Sequence, residues 1–126
     1  MRLFLYAGKD IHSQRLKNRM DQLASKQALE CFTTIDSFSR LLRQVPTGTG
    51  LAIVYSGCEE EFRKIFEIGD LLRVVKTILI LPNRKPELIS AALKLHPRYI
   101  SYSDGDFLDV SLVATRMLER DHERAN

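Results

Sequence analysis

Among the side chains that could act as nucleophiles, bases or metal ligands are three histidines, two cysteines and 16 carboxylates. Their spacing excludes most of that chemistry. His12, His96 and His122 are dispersed, the last in a polar tail, so no Ser/His/Asp arrangement follows. Cys31 and Cys58 have no histidine or cysteine at metal-ligand spacing and are too few for a disulfide scaffold, so both read as ordinary thiols. Gly48-Thr49-Gly50 lacks the spacing and the lysine of a phosphate-binding loop, and Gly8 stands alone where a G-x-G-x-x-G would begin. Asp10, Glu59 and Glu60 could gather a cation, yet a helix cap and a helix first turn account for them. No metal and no cofactor is expected.

The elements that must position these groups come from hydrophobic period. Five short apolar runs recur at residues 3–7, 28–33, 51–55, 77–81 and 99–103, each followed by a helical pattern. The third and fourth are continuous, as in parallel strands covered on both faces; the second and fifth are more polar, as at sheet edges. Helices are expected over 11–25, with Ile11, Leu16, Met20, Leu23 and Ala24 inward and Asp10 capping, and from Asp36, with Phe38, Leu41 and Leu42 inward. A third runs from Glu59 to Leu72 with Phe62, Ile65, Phe66 and Leu72 inward. The fourth begins at Pro86-Glu87, buries Leu88, Ile89, Ala92, Leu93 and Leu95, and ends at Pro97. Asp106 would cap the fifth, whose stripe is Leu108, Leu112, Val113, Arg116 and Met117, running into a charged tail from Glu119 to Asn126. Five strand–helix units with right-handed crossovers specify a three-layer α/β fold with an open parallel five-stranded sheet, flavodoxin-like, in the order 2-1-3-4-5. With no linker or low-complexity tract, residues 1–126 read as a single domain.

At 126 residues the chain is long enough for one core, and 44% hydrophobic with 28% charged residues is the composition of a globular protein. No run is long enough to span a membrane, and the start is too short for a signal peptide, so a cytoplasmic protein with no membrane partner is expected. The net charge of +3 is concentrated in residues 1–26, where Arg2, Lys9, Arg15, Lys17, Arg19 and Lys26 oppose Asp10 and Asp21. A basic first helix could attract nucleic acid, but a solvated face is the commoner meaning, and the aromatic residues of a single-strand binder are missing there.

In its length, its five βα units and its apolar leading strand, the chain resembles the receiver domains of bacterial two-component response regulators. Receivers carry a phosphoacceptor Asp at the end of strand three, an acidic pair for Mg²⁺ after strand one, a Thr or Ser after strand four and a Lys after strand five. By position these fall on Tyr55 or Ser56, on Tyr6, Ala7 or Gly8, on Leu81 or Pro82, and on Tyr102. None is kept. The resemblance therefore implies a degenerate pseudo-receiver, a non-enzymatic signalling module that binds a protein partner or pairs with itself. Its surface would be the face of the fourth helix, fifth strand and fifth helix, presenting Lys94, Arg98, Tyr99, Tyr102, Arg116 and Arg120. Tyr and Arg are the types enriched at interface anchors. A different class of function is a small-anion or nucleotide binder using Lys9, Ser56, Cys58, Arg84 and Lys85 at the strand carboxyl ends, where open parallel sheets hold ligands.

Overall fold

The alternation of apolar residues along each strand supplies two buried faces to one sheet. In the computed structural model, which describes residues 2–23 and 28–125, Arg2–Tyr6 (β1), Leu29–Phe32 (β2), Gly50–Tyr55 (β3), Lys76–Leu81 (β4) and Tyr99–Tyr102 (β5) form the strands. All pair in parallel in the order β2-β1-β3-β4-β5, with Leu3 opposite Leu29 and Leu51, and Ile78 opposite Ile53 and Tyr99. This is the flavodoxin-like arrangement expected. Every residue of β3 is buried, whereas β2 and β5, at the edges, are mostly half-buried. Ala24, Lys26 and Asn126 lie outside the described residues, as do the side chains of Leu23 and His122.

The helices are Ile11–Leu23 (α1), Ile35–Gln44 (α2), Glu59–Glu67 (α3), Gly69–Leu72 (α4), Pro86–Leu93 (α5) and Leu108–Ala125 (α6). Leu16 and Met20 of α1, with Val110 and Ala114 of α6, cover Leu3, Leu5, Leu51, Ile53, Ile78 and Ile80. On the other face α2 to α5 bring Phe38, Leu42, Phe62, Ile65, Leu72 and Ala92 onto Phe4, Tyr6, Ala52, Val54, Leu79 and Leu81. Each such Leu, Ile or Phe, fully buried, contributes about 1.5–3 kcal/mol. Among the described residues no helix is long and apolar enough to cross a membrane.

Several local expectations are corrected. Thr34, not Asp36, caps α2: its backbone is extended and its Oγ1 accepts from the Ser37 amide at 3.2 Å, leaving Asp36 in the first turn to favour the dipole. The third helix is interrupted at Ile68, and Gly69 opens α4. A Cβ at Gly69 would lie 2.6 Å from Leu95 Cδ2, so a larger residue would push the end of the Leu95 side chain aside. Ile11, Phe66, Leu93, Leu108 and Leu112 face outward rather than into the core. For α6 the reason is Phe107, which takes a positive φ of 63° and buries its ring, setting the helix phase so that Val110 and Ala114 form the seam. The expected tail continues as helix to Ala125.

Candidate functional site

Open parallel sheets bind ligands where strand order reverses, here between the carboxyl ends of β1 and β3. That crevice is filled by the protein's own groups. Tyr55, the last residue of β3, is 1% exposed and packs edge-on against Phe107 at 6.4 Å. Its hydroxyl donates to Asp10 Oδ2 and Oδ1 at 3.1 and 3.2 Å. Asp10 ends the β1 loop and caps α1, accepting from the Ser13 amide at 2.7 Å and the Ser13 hydroxyl at 2.8 Å. Burial alone would raise the Asp10 carboxyl, but the Ser13 and Tyr55 bonds outweigh it and hold it below the usual range. Burial, then the Asp10 charge, pushes the Tyr55 phenol up, so at neutral pH it is a donor and no base.

The next residues close the crevice further. The Gly57 amide donates to Glu61 Oε2 at 2.9 Å, and a Cβ at Gly57 would lie 2.6 Å from Asp10 Oδ2 and 3.3 Å from the Tyr55 hydroxyl. A side chain there would displace the Asp10 carboxylate from its place beside Tyr55. Among the described residues no three His, Cys, Asp or Glu side chains converge as metal ligands.

The residues of the anion-binding expectation are dispersed. Ser56 is 1% exposed and its hydroxyl donates to the Ile80 carbonyl at 2.7 Å, so it serves the sheet and not the crevice. Cys58 is exposed at the N-cap of α3, with no side-chain cap bond. Arg84 pairs with Asp104 at 2.8 Å and lies 4.1 Å from the centre of the Tyr102 ring, while Lys85 pairs with Glu59 at 2.8 Å. Those two cations are already neutralised. Lys9 is exposed and lines, with Lys17 and Cys31, a separate cavity of about 180 Å³ between α1 and β2. Burial raises the Cys31 thiol above its ordinary value.

At the β5 edge the structure does gather expected residues. Tyr99 donates its hydroxyl to Asp109 Oδ2 at 2.9 Å, and Ser101 donates to the same oxygen at 2.7 Å. The bond to Asp109, with burial second, raises the Tyr99 phenol. Asp109 was not foreseen; its signal is a carboxylate in the first turn of a helix that follows a Tyr- and Ser-bearing strand. Because Asp109 reaches β5 from α6, residues seven and eleven positions on, Arg116 and Arg120, share that side by the helical period. Lys94 closes α5 and Arg98 immediately precedes β5, while Tyr102, at the far end of the strand, lies under Arg84. Comparisons with protein-family models, with curated proteins and with solved structures find no match. The fold and the edge together define a flavodoxin-like α/β protein with a filled strand-end crevice.

Proposed function

We propose that this chain is a pseudo-receiver, a cytoplasmic signalling module that binds a protein through the α5–β5–α6 face without a phosphorylation cycle. The observation that carries the reading is Tyr55. Where receivers carry a phosphoacceptor, a buried phenol already occupies the space and donates to Asp10. Aspartyl phosphorylation needs a carboxylate free to attack and a hard cation beside it, and the engagement of the Asp10 carboxylate by Ser13 and Tyr55 supports a chain without that chemistry. The anion-binding reading is weakened by the Arg84–Asp104 and Lys85–Glu59 pairs, and binding of nucleic acid through α1 by the engagement of Arg15 with His12, the Gly105 carbonyl and the Phe107 ring.

The binding face follows from the edge. β5 leaves its outer backbone groups without a strand partner, and no charged residue lies within Tyr99–Tyr102 to blunt it. Tyr102→Ala is expected to weaken association by about 1–3 kcal/mol, as at an anchor, and, because the ring also packs against the core and under Arg84, to lower the melting temperature modestly as well. Sedimentation or partner titration reads the first quantity and thermal melting the second. A strong fall in melting temperature with association unchanged makes Tyr102 a core residue and removes this face from the proposal.

A further inference from the structure

At the opposite end of the sheet from the filled crevice, a cavity of about 260 Å³ opens between the loop before β3, the turn after α4 and the loop leading into β5. Arg73, Lys76, His96 and Arg98 line it, and no Asp or Glu does. The fold gathers them from separate segments. Arg73 ends α4 and Lys76 opens β4, while His96, with a left-handed φ of 54°, turns the chain back after α5. Arg98 follows, its amide donating to the Thr77 carbonyl at 2.7 Å. Glu67 and Asp70 line an adjacent cavity that shares Arg73, so Arg73 stands between the two; Lys76, His96 and Arg98 are not part of that second wall.

Helices α4 and α5 end here, and open carbonyls at a helix C-terminus would repel an anion. These are taken by the chain's own amides. Leu71 and Leu72 accept from Val74 and Val75, and Ala91, Ala92 and Leu93 accept from Lys94, Leu95 and His96. The Val74 carbonyl accepts from Gly48, which also lines the cavity, at 2.8 Å. Arg73, Lys76 and Arg98 form no ion pair among the described residues. Cations around a concave wall without carboxylates suit a ligand with several anionic oxygens: arginine forks pair with phosphate oxygens, a lysine adds a point charge and a histidine a further donor. The volume falls just below that of sites for drug-sized ligands, which leaves room for a phosphate group with a small substituent. We propose that this cavity binds the phosphate or diphosphate group of a small molecule. It is a site apart from the interaction face, which it borders at Arg98 alone.

The test is titration of the isotope-labelled full chain with pyrophosphate and, separately, with glycerol 3-phosphate, followed by amide shifts. Saturable shifts are expected at Gly48, Arg73, Lys76, His96 and Arg98. Tighter binding of pyrophosphate assigns the site to a diphosphate, and tighter binding of glycerol 3-phosphate to an organic phosphoester. Lys76→Gln with Arg98→Gln should weaken binding by about tenfold or more, as for loss of charge-assisted bonds. Arg40→Gln with Lys64→Gln, exposed on α2 and α3, makes the same change of charge elsewhere and should alter binding by less than about twofold. Thr47→Glu, at an exposed loop position on the cavity wall, sets a carboxylate there and should abolish saturable binding even if the double variant fails to fold. Shifts that rise linearly with ligand and spread over all basic surfaces would overturn the proposal. So would saturable shifts centred on Lys9 and Lys17, or binding that Thr47→Glu leaves unchanged.

Discussion

Replacing Asp10 with alanine removes the group that joins α1 to the end of β3, and the structure sets the size of the effect. The cap bond to the Ser13 amide is lost, which costs about 1 kcal/mol for an N-cap carboxylate. The Tyr55 hydroxyl, on a side chain 1% exposed, loses its charged acceptor; leaving such a donor without a partner costs about 1–3 kcal/mol. Together these give about 2–4 kcal/mol, and at this length each kcal/mol lowers the melting temperature by about 4 °C. Tyr55→Phe supplies the control, since a phenyl ring fills the same space and needs no acceptor. In that background Asp10→Ala should cost only the cap, so a double-mutant cycle read by chemical denaturation should show a coupling of about 1–3 kcal/mol. If Asp10→Ala costs the same in both backgrounds, the Tyr55–Asp10 bond contributes nothing and the crevice is not held shut by it.

Two further outcomes follow from the same geometry. Because the folded Asp10 carboxyl lies below its unfolded value of about 3.9, its contribution is complete above that pH and is lost as pH falls through the folded value; melting curves across acid pH should show the gap between wild type and Asp10→Asn closing. Gly50→Ala should cost about 1–3 kcal/mol by denaturant midpoint, since the new Cβ would lie 2.4 Å from Phe4 Cε2 and 3.1 Å from Val75 Cγ1 inside a fully buried strand.

The sheet was legible because its signal is local. The continuous apolar runs of β3 and β4 and the polar runs of β2 and β5 state which strands are central and which are edges, and the strand order follows. What escaped depends on contacts distant in sequence or on a single backbone angle. The phosphoacceptor position fell on Tyr55 or Ser56, yet the bond of Tyr55 to a carboxylate 45 residues earlier has no local signature. Ser56, a plausible ligand by position, turns its hydroxyl into the sheet toward Ile80, 24 residues on. The pairing of Arg84 with Asp104 and of Lys85 with Glu59 likewise converts apparent free cations into neutralised ones. The positive φ of Phe107 shifts the buried stripe of α6 away from Leu108 and Leu112. The placement of the basic residues beside β5 was more legible, because Lys94, Arg98 and Tyr99 adjoin one strand start and Arg116 and Arg120 repeat at helical spacing.

The proposal that this flavodoxin-like chain is a pseudo-receiver, binding partners with its strand-end crevice filled, is tested most directly by phosphorylation chemistry. The chain is incubated with a small phosphodonor and Mg²⁺ and weighed by intact mass spectrometry, and amide shifts are followed on addition of beryllofluoride with Mg²⁺. The mass should be unchanged, and the amides of Tyr55, Ser56 and Gly57 should not move, because Tyr55 occupies the space and Asp10 is already bonded by Ser13 and Tyr55. Addition of one phosphoryl group that disappears in Asp10→Ala or in Ser56→Ala would contradict the claim and restore a phosphorylation cycle to this fold.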